Sequence, residues 1–314
     1  MRVFYEEGSS LKLEVCNVLD KISKKQNLIL KTSGTTGTPK SIAKDLEKAI
    51  KEKRGGSEED VWVLTYDPKR WAGVSTITHA IKFNSKLYVP KSLSFVDIID
   101  CAHKNRVTHI STTPSIFRNM LLIDKDKKLS KTPLKQITFG GECATQSVLN
   151  LAKNNFPEAR VTHIYASTEM GDICAVSDGL EGIPKGKLEK EKFKINDKDE
   201  LIIEGFNTQD MWKLKNDRYY FLGREQEIIN IGGIKVSPIV VEETALKCGV
   251  EFAKSYSIKN PILGNLVGLD YVGDIEKEVL KSKLKDSLSK YEMPSKINKL
   301  DSIELTKAGK IKRK

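Results

Sequence analysis

The sequence predicts an α/β fold: a large layered α/β N-terminal domain and a small α+β C-terminal domain joined by a hinge. Two observations carry this reading. Through the first two-thirds of the chain, short β-branched and aromatic runs recur, with stretches of helical spacing between several of them. That alternation is the pattern of a sheet layered with helices. From about Ile228 the texture changes to short strands alternating with two helices. The 314 residues suffice for two domains with buried cores.

The expected strands of the large domain are 61–66, Lys86–Val89, 107–111, Gln136–Phe139 and 161–165. Ile98, Ile99 and Ala102 form one apolar helical stripe, and Val148, Leu149, Leu151 and Ala152 form another. Residues 185–200 are dense in Lys, Glu and Asp and read as an exposed hairpin or loop. Strands are expected at 201–204 and 219–222, the latter ending at Gly223-Arg224. The boundary is expected near residues 225–227, giving domains 1–224 and 225–314. Ile275, Val279, Leu284 and Leu288 mark the apolar face of the last helix.

Composition excludes several classes. Hydrophobic residues make up 39% and charged residues 30%, ordinary for a soluble globular protein. Residues 1–10 are polar and acidic without an apolar core, so no signal peptide is expected. No apolar run approaches the roughly 20 residues of a membrane span. The five cysteines are odd in number and lack CxxC spacing, which favours free thiols, a reducing compartment and a cytoplasmic location. The net charge of +11 comes from scattered lysines such as Lys24, Lys25, Lys44, Lys48, Lys51 and Lys53. They read as a solvated face, and no nucleic-acid partner is expected.

The first chemical motif is Thr32-Ser33-Gly34-Thr35-Thr36-Gly37-Thr38-Pro39-Lys40. Its glycines let backbone approach an anion closely. Successive N–H groups, the hydroxyls of Thr35 and Thr36 and the charge of Lys40 can all meet phosphate oxygens. A helical stretch is expected to follow at 41–51, with its N-terminus favouring anions. The loop is not a Walker A motif, because Pro39 stands where its second glycine belongs.

Further motifs follow. They are Phe139-Gly140-Gly141-Glu142, Tyr165-Ala166-Ser167-Thr168-Glu169, Thr208-Gln209-Asp210, Gly223-Arg224, Gly232-Gly233-Ile234-Lys235 and Leu305-Thr306-Lys307-Ala308-Gly309-Lys310-Ile311. In type and order they resemble the motifs of the adenylate-forming superfamily, which includes acyl-CoA synthetases and adenylation domains of peptide synthetases. The resemblance runs from about Ile29 to Arg313 and implies an N-terminally shortened member. It implies an enzyme that uses ATP and Mg²⁺ to activate a small-molecule carboxylic acid as an acyl-adenylate. The acyl group then passes to the thiol of coenzyme A or of carrier-protein phosphopantetheine.

The resemblance also implies roles. Thr35, Thr36, Gly37 and Lys40 cradle phosphates, and the turn of Gly141 and Glu142 lies against adenine. Tyr165 stacks on the base, Thr168 reaches phosphate, and Glu169 holds magnesium. Asp210, with Arg224, fixes the ribose. Lys310 is the catalytic lysine, carried by a domain that rotates about Gln226. Departures stand beside these matches: Ala166 and Gln209 replace glycines, Gln226 replaces the usual hinge Asp or Lys, and His163 takes the place of an adenine-contacting Asn. The short N-terminal region puts part of the acid-binding wall in question.

The acid is least legible. Tyr66-Asp67-Pro68-Lys69-Arg70-Trp71-Ala72-Gly73 corresponds to the segment lining the acid pocket in relatives. Asp67 can pair an α-ammonium group, Arg70 a second carboxylate, and either can be an ordinary surface charge. The basic balance leans toward an acidic acyl carrier protein as partner. Amino-acid activation for a carrier protein and a catalytically inactive nucleotide-binding relative are the competing readings.

Overall fold

A computed structural model describes residues 2–31, 41–167, 170–190, 193–304 and 311. By internal contacts these fall into two compact units, 2–144 with 148–180, and 145–147 with 181–304 and 311. The boundary expected at 224/225 lies inside the second unit, at a 3-10 turn, Glu225–Glu227.

The first unit runs β1 (Arg2–Tyr5), α1 (Lys12–Ser23), β2 (Leu28–Lys31), β3 (Ser41–Lys44), α2 (Leu46–Glu52), β4 (Val61–Val63), α3 (Trp71–Lys82), β5 (Lys86–Val89) and α4 (Phe95–Lys104). It continues with β6 (His109–Thr112), α5 (Pro114–Ile123), β7 (Gln136–Phe139), α6 (Gln146–Asn155), β8 (Arg160–Ser167) and β9 (Gly171–Val176). Seven strands form one sheet in the order β1-β5-β4-β6-β7-β8-β9. All neighbours are parallel except β8 and β9. Such a sheet is covered by helices on its faces. One cluster packs Ile98, Ile99 and Ala102 of α4 with Phe117 of α5, Ile137 of β7 and Val148 of α6. A second packs Val15 and Val18 of α1 with Leu64, Val74, Ile77 and Leu87.

The helix expected over 41–51 is a correction. Ser41–Lys44 is a strand, paired antiparallel with Leu28–Lys31 so that Ile29 faces Ala43 and Leu30 faces Ile42. The helix begins only at Leu46, because the Asp45 side chain accepts from Lys48 N at 2.9 Å. That carboxylate fills the helix N-terminus itself.

The second unit holds β10 (Ile183–Pro184), α7 (Lys185–Lys190), β11 (Phe193–Ile195), β12 (Glu200–Ile203), β13 (Phe206–Lys215) and β14 (Arg218–Arg224). These strands form a sheet in the order β10-β14-β13-β12-β11. The stretch 185–200 therefore carries a helix and a strand rather than an open loop. Buried Leu188 and Phe193 explain why: they supply the apolar positions that anchor α7 and β11.

Next come β15 (Ile229–Ile231), β16 (Ile234–Val236), α8 (Pro238–Lys247), β17 (Phe252–Asn260), β18 (Gly264–Val272), α9 (Lys277–Lys285) and β19 (Lys296–Lys299). Their core joins Ile229, Val241, Leu269, Tyr271, Leu280 and Leu284. The expected face of the last helix needs correction: Leu280 is buried with Leu284, whereas Val279 is 50% exposed. Residues 280 and 284 lie four apart on one face, and 279 falls beside it.

Candidate active site

Open parallel sheets bind ligands outside the carboxyl ends of their strands. In the first unit, side chains link those ends. After β4 the chain continues through buried Leu64, Thr65 and Tyr66. Thr65 Oγ1 donates to Ser111 O on β6. Tyr66 Oη donates to Gly140 O, just after β7, at 3.3 Å. Burial pushes the Tyr66 phenol up, and the Glu142 and Asp172 carboxylates push it further, so it stays a protonated donor.

Gly141 has φ +81°, a conformation that favours glycine. Glu142 follows it, and its Oε2 accepts from Ser115 N at 3.0 Å. Ser115 lies in the first turn of α5, behind Pro114 at the first position and an N-cap Thr113 that accepts from Ile116 N. Thus Glu142 anchors the turn after β7 to a helix N-terminus, where a carboxylate is favoured.

Tyr165 and Ala166 lie on β8 at a bulge, where the register against β9 shifts. Bulges re-aim side chains and recur beside active sites. Ala166 is a strand residue without positive φ, so replacing glycine there costs no backbone strain. His163 Nε2 lies 3.1 Å from the carbonyl oxygen of Leu180.

In the segment after β4, Asp67 serves the turn. Its Oδ1 accepts from Lys69 N at 2.8 Å, and its carbonyl accepts from Arg70 N at 2.9 Å. Gly73 is required by close approach: a Cβ there would lie 2.4 Å from Asp67 O.

The second unit brings Asp210 and Arg224 together. They are register partners across β13 and β14, and Arg224 Nε lies 3.4 Å from Asp210 Oδ1. Asp210 is 8% exposed. Its N–H donates to Thr208 Oγ1, and that hydroxyl donates to Leu201 O, which fixes the turn. Gln209 has φ +59°, so a non-glycine residue occupies the left-handed region there. Gly232 and Gly233, both with positive φ, form the two-residue turn between β15 and β16, the chemistry of a primed hairpin turn.

Thr35, Thr36, Gly37, Lys40, Thr168, Glu169 and Lys310 lie outside the described residues. Lys53, expected among the solvated lysines, is instead buried. It is 8% exposed, and its Nζ donates to Asp172 Oδ2 at 2.7 Å and to Ser75 Oγ. No local pattern distinguishes Lys53 from its neighbours; only the chain's return as β9 supplies its partner.

The AMP-binding enzyme family matches residues 21–198, more than half of the chain. The chain belongs to that family. It is 33% identical over 122 residues to a 3,4-dihydroxybenzoate–[aryl-carrier protein] ligase of Bacillus anthracis, covering 38% of this chain and 28% of that protein. It is 23% identical over 331 residues to a 2-succinylbenzoate–CoA ligase of Staphylococcus aureus, covering 91% of this chain and 65% of that one. The crystal structure of the anthranilate CoA ligase AuaEII with anthranoyl-AMP shares the fold, with a TM-score of 0.79 at 15% identity. That match covers 91% of this chain and 66% of the other. The chain thus spans about two-thirds of the length of these two ligases. Among the described residues, no helix is long and apolar enough to cross a membrane, and all five cysteines are free.

Proposed function

We propose that the chain catalyses ATP-dependent, AMP-forming activation of a carboxylic acid and transfer of the acyl group to a thiol. The observation that carries this reading is the linked set of strand ends in the first unit. Tyr66, Gly140, Gly141 and Glu142 form one turn system after β7, whose parallel neighbour β8 carries Tyr165, in a chain of the AMP-binding enzyme family. Free cysteines suit a reducing, cytoplasmic setting.

In the first half-reaction an oxygen of the acid attacks the α-phosphorus of ATP. The bond to the β-phosphate oxygen breaks, and pyrophosphate leaves with the electron pair. The protein's task is to hold two anions together and to neutralise charge developing at phosphorus. We assign Thr35, Thr36, Gly37, Lys40 and Thr168 to the phosphates, Gly141, Glu142 and Tyr165 to adenine, Asp210 and Arg224 to ribose, and Lys310 to the reacting oxygens.

Magnesium binds through one or two carboxylates together with substrate phosphates. We assign this carboxylate to Glu169, as the resemblance of Tyr165-Ala166-Ser167-Thr168-Glu169 to the family's motif implies. The ion would supply Lewis-acid stabilisation of phosphate charge. In the second half-reaction a thiol attacks the acyl carbon and AMP leaves. We propose that residues 225–314 move as a domain between the two steps, about the 3-10 turn at Glu225–Glu227.

Coenzyme A is one acceptor class. A carrier-protein thiol is the second reading, favoured by the aryl-carrier protein ligase among the similar proteins and by the net charge of +11. The test is pyrophosphate release with ATP across a panel of carboxylic and amino acids, for the wild type and Lys310→Ala. Release that depends on one class of acid and disappears in the variant, with ATP affinity kept within a few fold, supports the reading. Release equal in wild type and variant removes Lys310 from the mechanism.

A further inference from the structure

The sheet β17-β18-β19 turns one face to its helices. Ala253, Val267, Leu269, Tyr271 and Ile297 enter the core on that side, with Val241 of α8 and Leu280 of α9. Ser255 lies on the same side of β17, and its Oγ donates to Pro238 O at the start of α8. Side chains alternate along a strand, so Lys254, Tyr256, Gly268, Asp270, Lys296 and Asn298 share the opposite face. The registers set these residues in two rows across the sheet, Tyr256–Gly268–Lys296 and Lys254–Asp270–Asn298. Lys254, Tyr256, Asp270 and Asn298 are half-buried there, and Lys296 is exposed.

Tyr256 is fixed on this face. Its Oη donates to Asp270 Oδ1 at 3.1 Å and accepts from Asn298 Nδ2 at 3.2 Å. The same amide donates to Asp270 Oδ1 at 2.8 Å. Water would satisfy a half-exposed phenol equally well, so what these bonds add is a set orientation. The ring lies over Gly268, where a Cβ would stand 2.5 Å from Tyr256 Cε2 and 2.6 Å from Cζ. Gly268 has no positive φ, so its backbone does not call for glycine; the ring above it does. A glycine inside a strand weakens it and marks a close approach. With its edge held and one face against the sheet, the ring turns its other face outward. Lys254 and Lys296 flank it, and among the described residues neither has an ion-pair partner. Asp270 Oδ2 accepts no hydrogen bond from the described residues, since both bonds go to Oδ1.

We propose that this face is a nucleotide-binding platform made of residues other than those assigned to ATP. A base stacks on Tyr256, Asp270 Oδ2 accepts from its exocyclic amino group, and Lys254 and Lys296 meet its phosphate. A sheet face that carries an aromatic ring is a general means of stacking bases, and lysine supplies a point charge for phosphate. The ligand class is a nucleoside phosphate whose base bears an amino group. A carboxylate aimed at that group discriminates against a base that lacks it, because its own oxygen is left unpaired. Two sources share this chemistry: a free nucleotide, and the nucleotide end of coenzyme A. Only the second rests on the proposed ligase reading.

The experiment photolabels the full chain with 8-azido-adenosine 3′,5′-bisphosphate and maps the labelled peptides by mass spectrometry. Label should fall within residues 252–298, and label confined to other residues overturns the site. Competition is then read on those peptides alone, which separates the platform from the ATP site. AMP should displace the label at least five-fold better than purine riboside 5′-monophosphate, which lacks the amino group. Tripolyphosphate should displace it far more weakly than AMP. Tyr256→Leu should raise the half-saturating concentration ten-fold or more, and Tyr256→Phe, which keeps the ring, should change it less than three-fold. Lys254→Gln/Lys296→Gln should weaken AMP at least five-fold and flatten its salt dependence. Affinity unchanged in Tyr256→Leu, or displacement by tripolyphosphate equal to that by AMP, overturns the platform. The source is read from transfer kinetics. A KM for coenzyme A that rises in Tyr256→Leu, with the KM for pantetheine unchanged, assigns the platform to the acceptor's nucleotide end. Both KM values unchanged, with AMP weakened, assign it to a free nucleotide. Labelling that follows Tyr256, with no pyrophosphate release from any acid, overturns the ligase reading and leaves the platform standing.

Discussion

Glu142 accepts a hydrogen bond from Ser115 N–H at 3.0 Å, so a residue of the turn proposed to meet adenine also caps the first turn of α5. The same side chain closes a helix and fixes the turn after β7. Glu142→Ala should therefore lower stability by about 1–2 kcal/mol through the lost cap. ATP affinity should change less than three-fold if the turn meets the base through backbone. Urea unfolding beside ATP titration checks this; a large loss of affinity at unchanged stability would assign the carboxylate to the nucleotide.

Gln209, at φ +59°, stores backbone strain that glycine would relieve. The left-handed region costs a non-glycine residue about 1–2 kcal/mol, and glycine returns roughly 0.5–1 of that as entropy. Gln209→Gly should raise stability by about 0.5–1 kcal/mol, read as a higher urea midpoint at constant slope. A drop in stability would show that Asn207 Oδ1, which accepts from Gln209 N at 2.8 Å, already compensates the turn.

Asp210→Asn should weaken ATP binding, because charge-assisted hydrogen bonds to ribose are worth roughly 1.5–3 kcal/mol. The specific check is competition with 2′,3′-dideoxy-ATP. Wild type should discriminate strongly between the two nucleotides and the variant little. Equal discrimination in both sinks the ribose assignment and leaves Asp210 as a structural partner of Arg224.

His79 makes stability depend on pH. It is packed between Trp62 and Phe83, at 4.9 and 4.8 Å between ring centroids. Burial, followed by the charge of Lys53, lowers its pKa from 6.5 to about 4. The folded state thus prefers the neutral ring, and the unfolded chain takes up the proton first as pH falls. The stabilisation is complete above pH 6.5 and is lost between there and pH 4. Between pH 7 and 5 this group should cost on the order of 1–2 kcal/mol. His79→Phe should flatten that part of the stability profile; a profile of unchanged slope would place the acid sensitivity elsewhere.

The sequence was most legible where one periodicity dominates. Lys86–Val89 and Gln136–Phe139 match their observed limits, because each alternates half-buried and buried positions with β-branched and aromatic residues, the period of a strand. It misled where two readings compete. Ser41–Lys44 sits in a lysine-rich run of good helix formers, yet its pairing with β2 decides for strand, and local propensity does not register that pairing. Asp210 and Arg224 were both read from motifs, whereas their cross-strand pairing became visible only with the register of β13 and β14. Lys53 and Asp172 show the limit most clearly. An ion pair between a buried lysine and a part-exposed aspartate 119 residues away has no periodic signature, and its lysine looks like every other lysine on the chain.

The central claim is that an oxygen of the acid attacks the α-phosphorus of ATP. The direct measurement is isotope transfer. An acid that supports pyrophosphate release is labelled with ¹⁸O in both carboxylate oxygens and turned over with ATP and a thiol acceptor. Mass spectrometry of the products should find one ¹⁸O in AMP and none in pyrophosphate. Label in inorganic phosphate with ADP as co-product, or unlabelled AMP, would contradict the account.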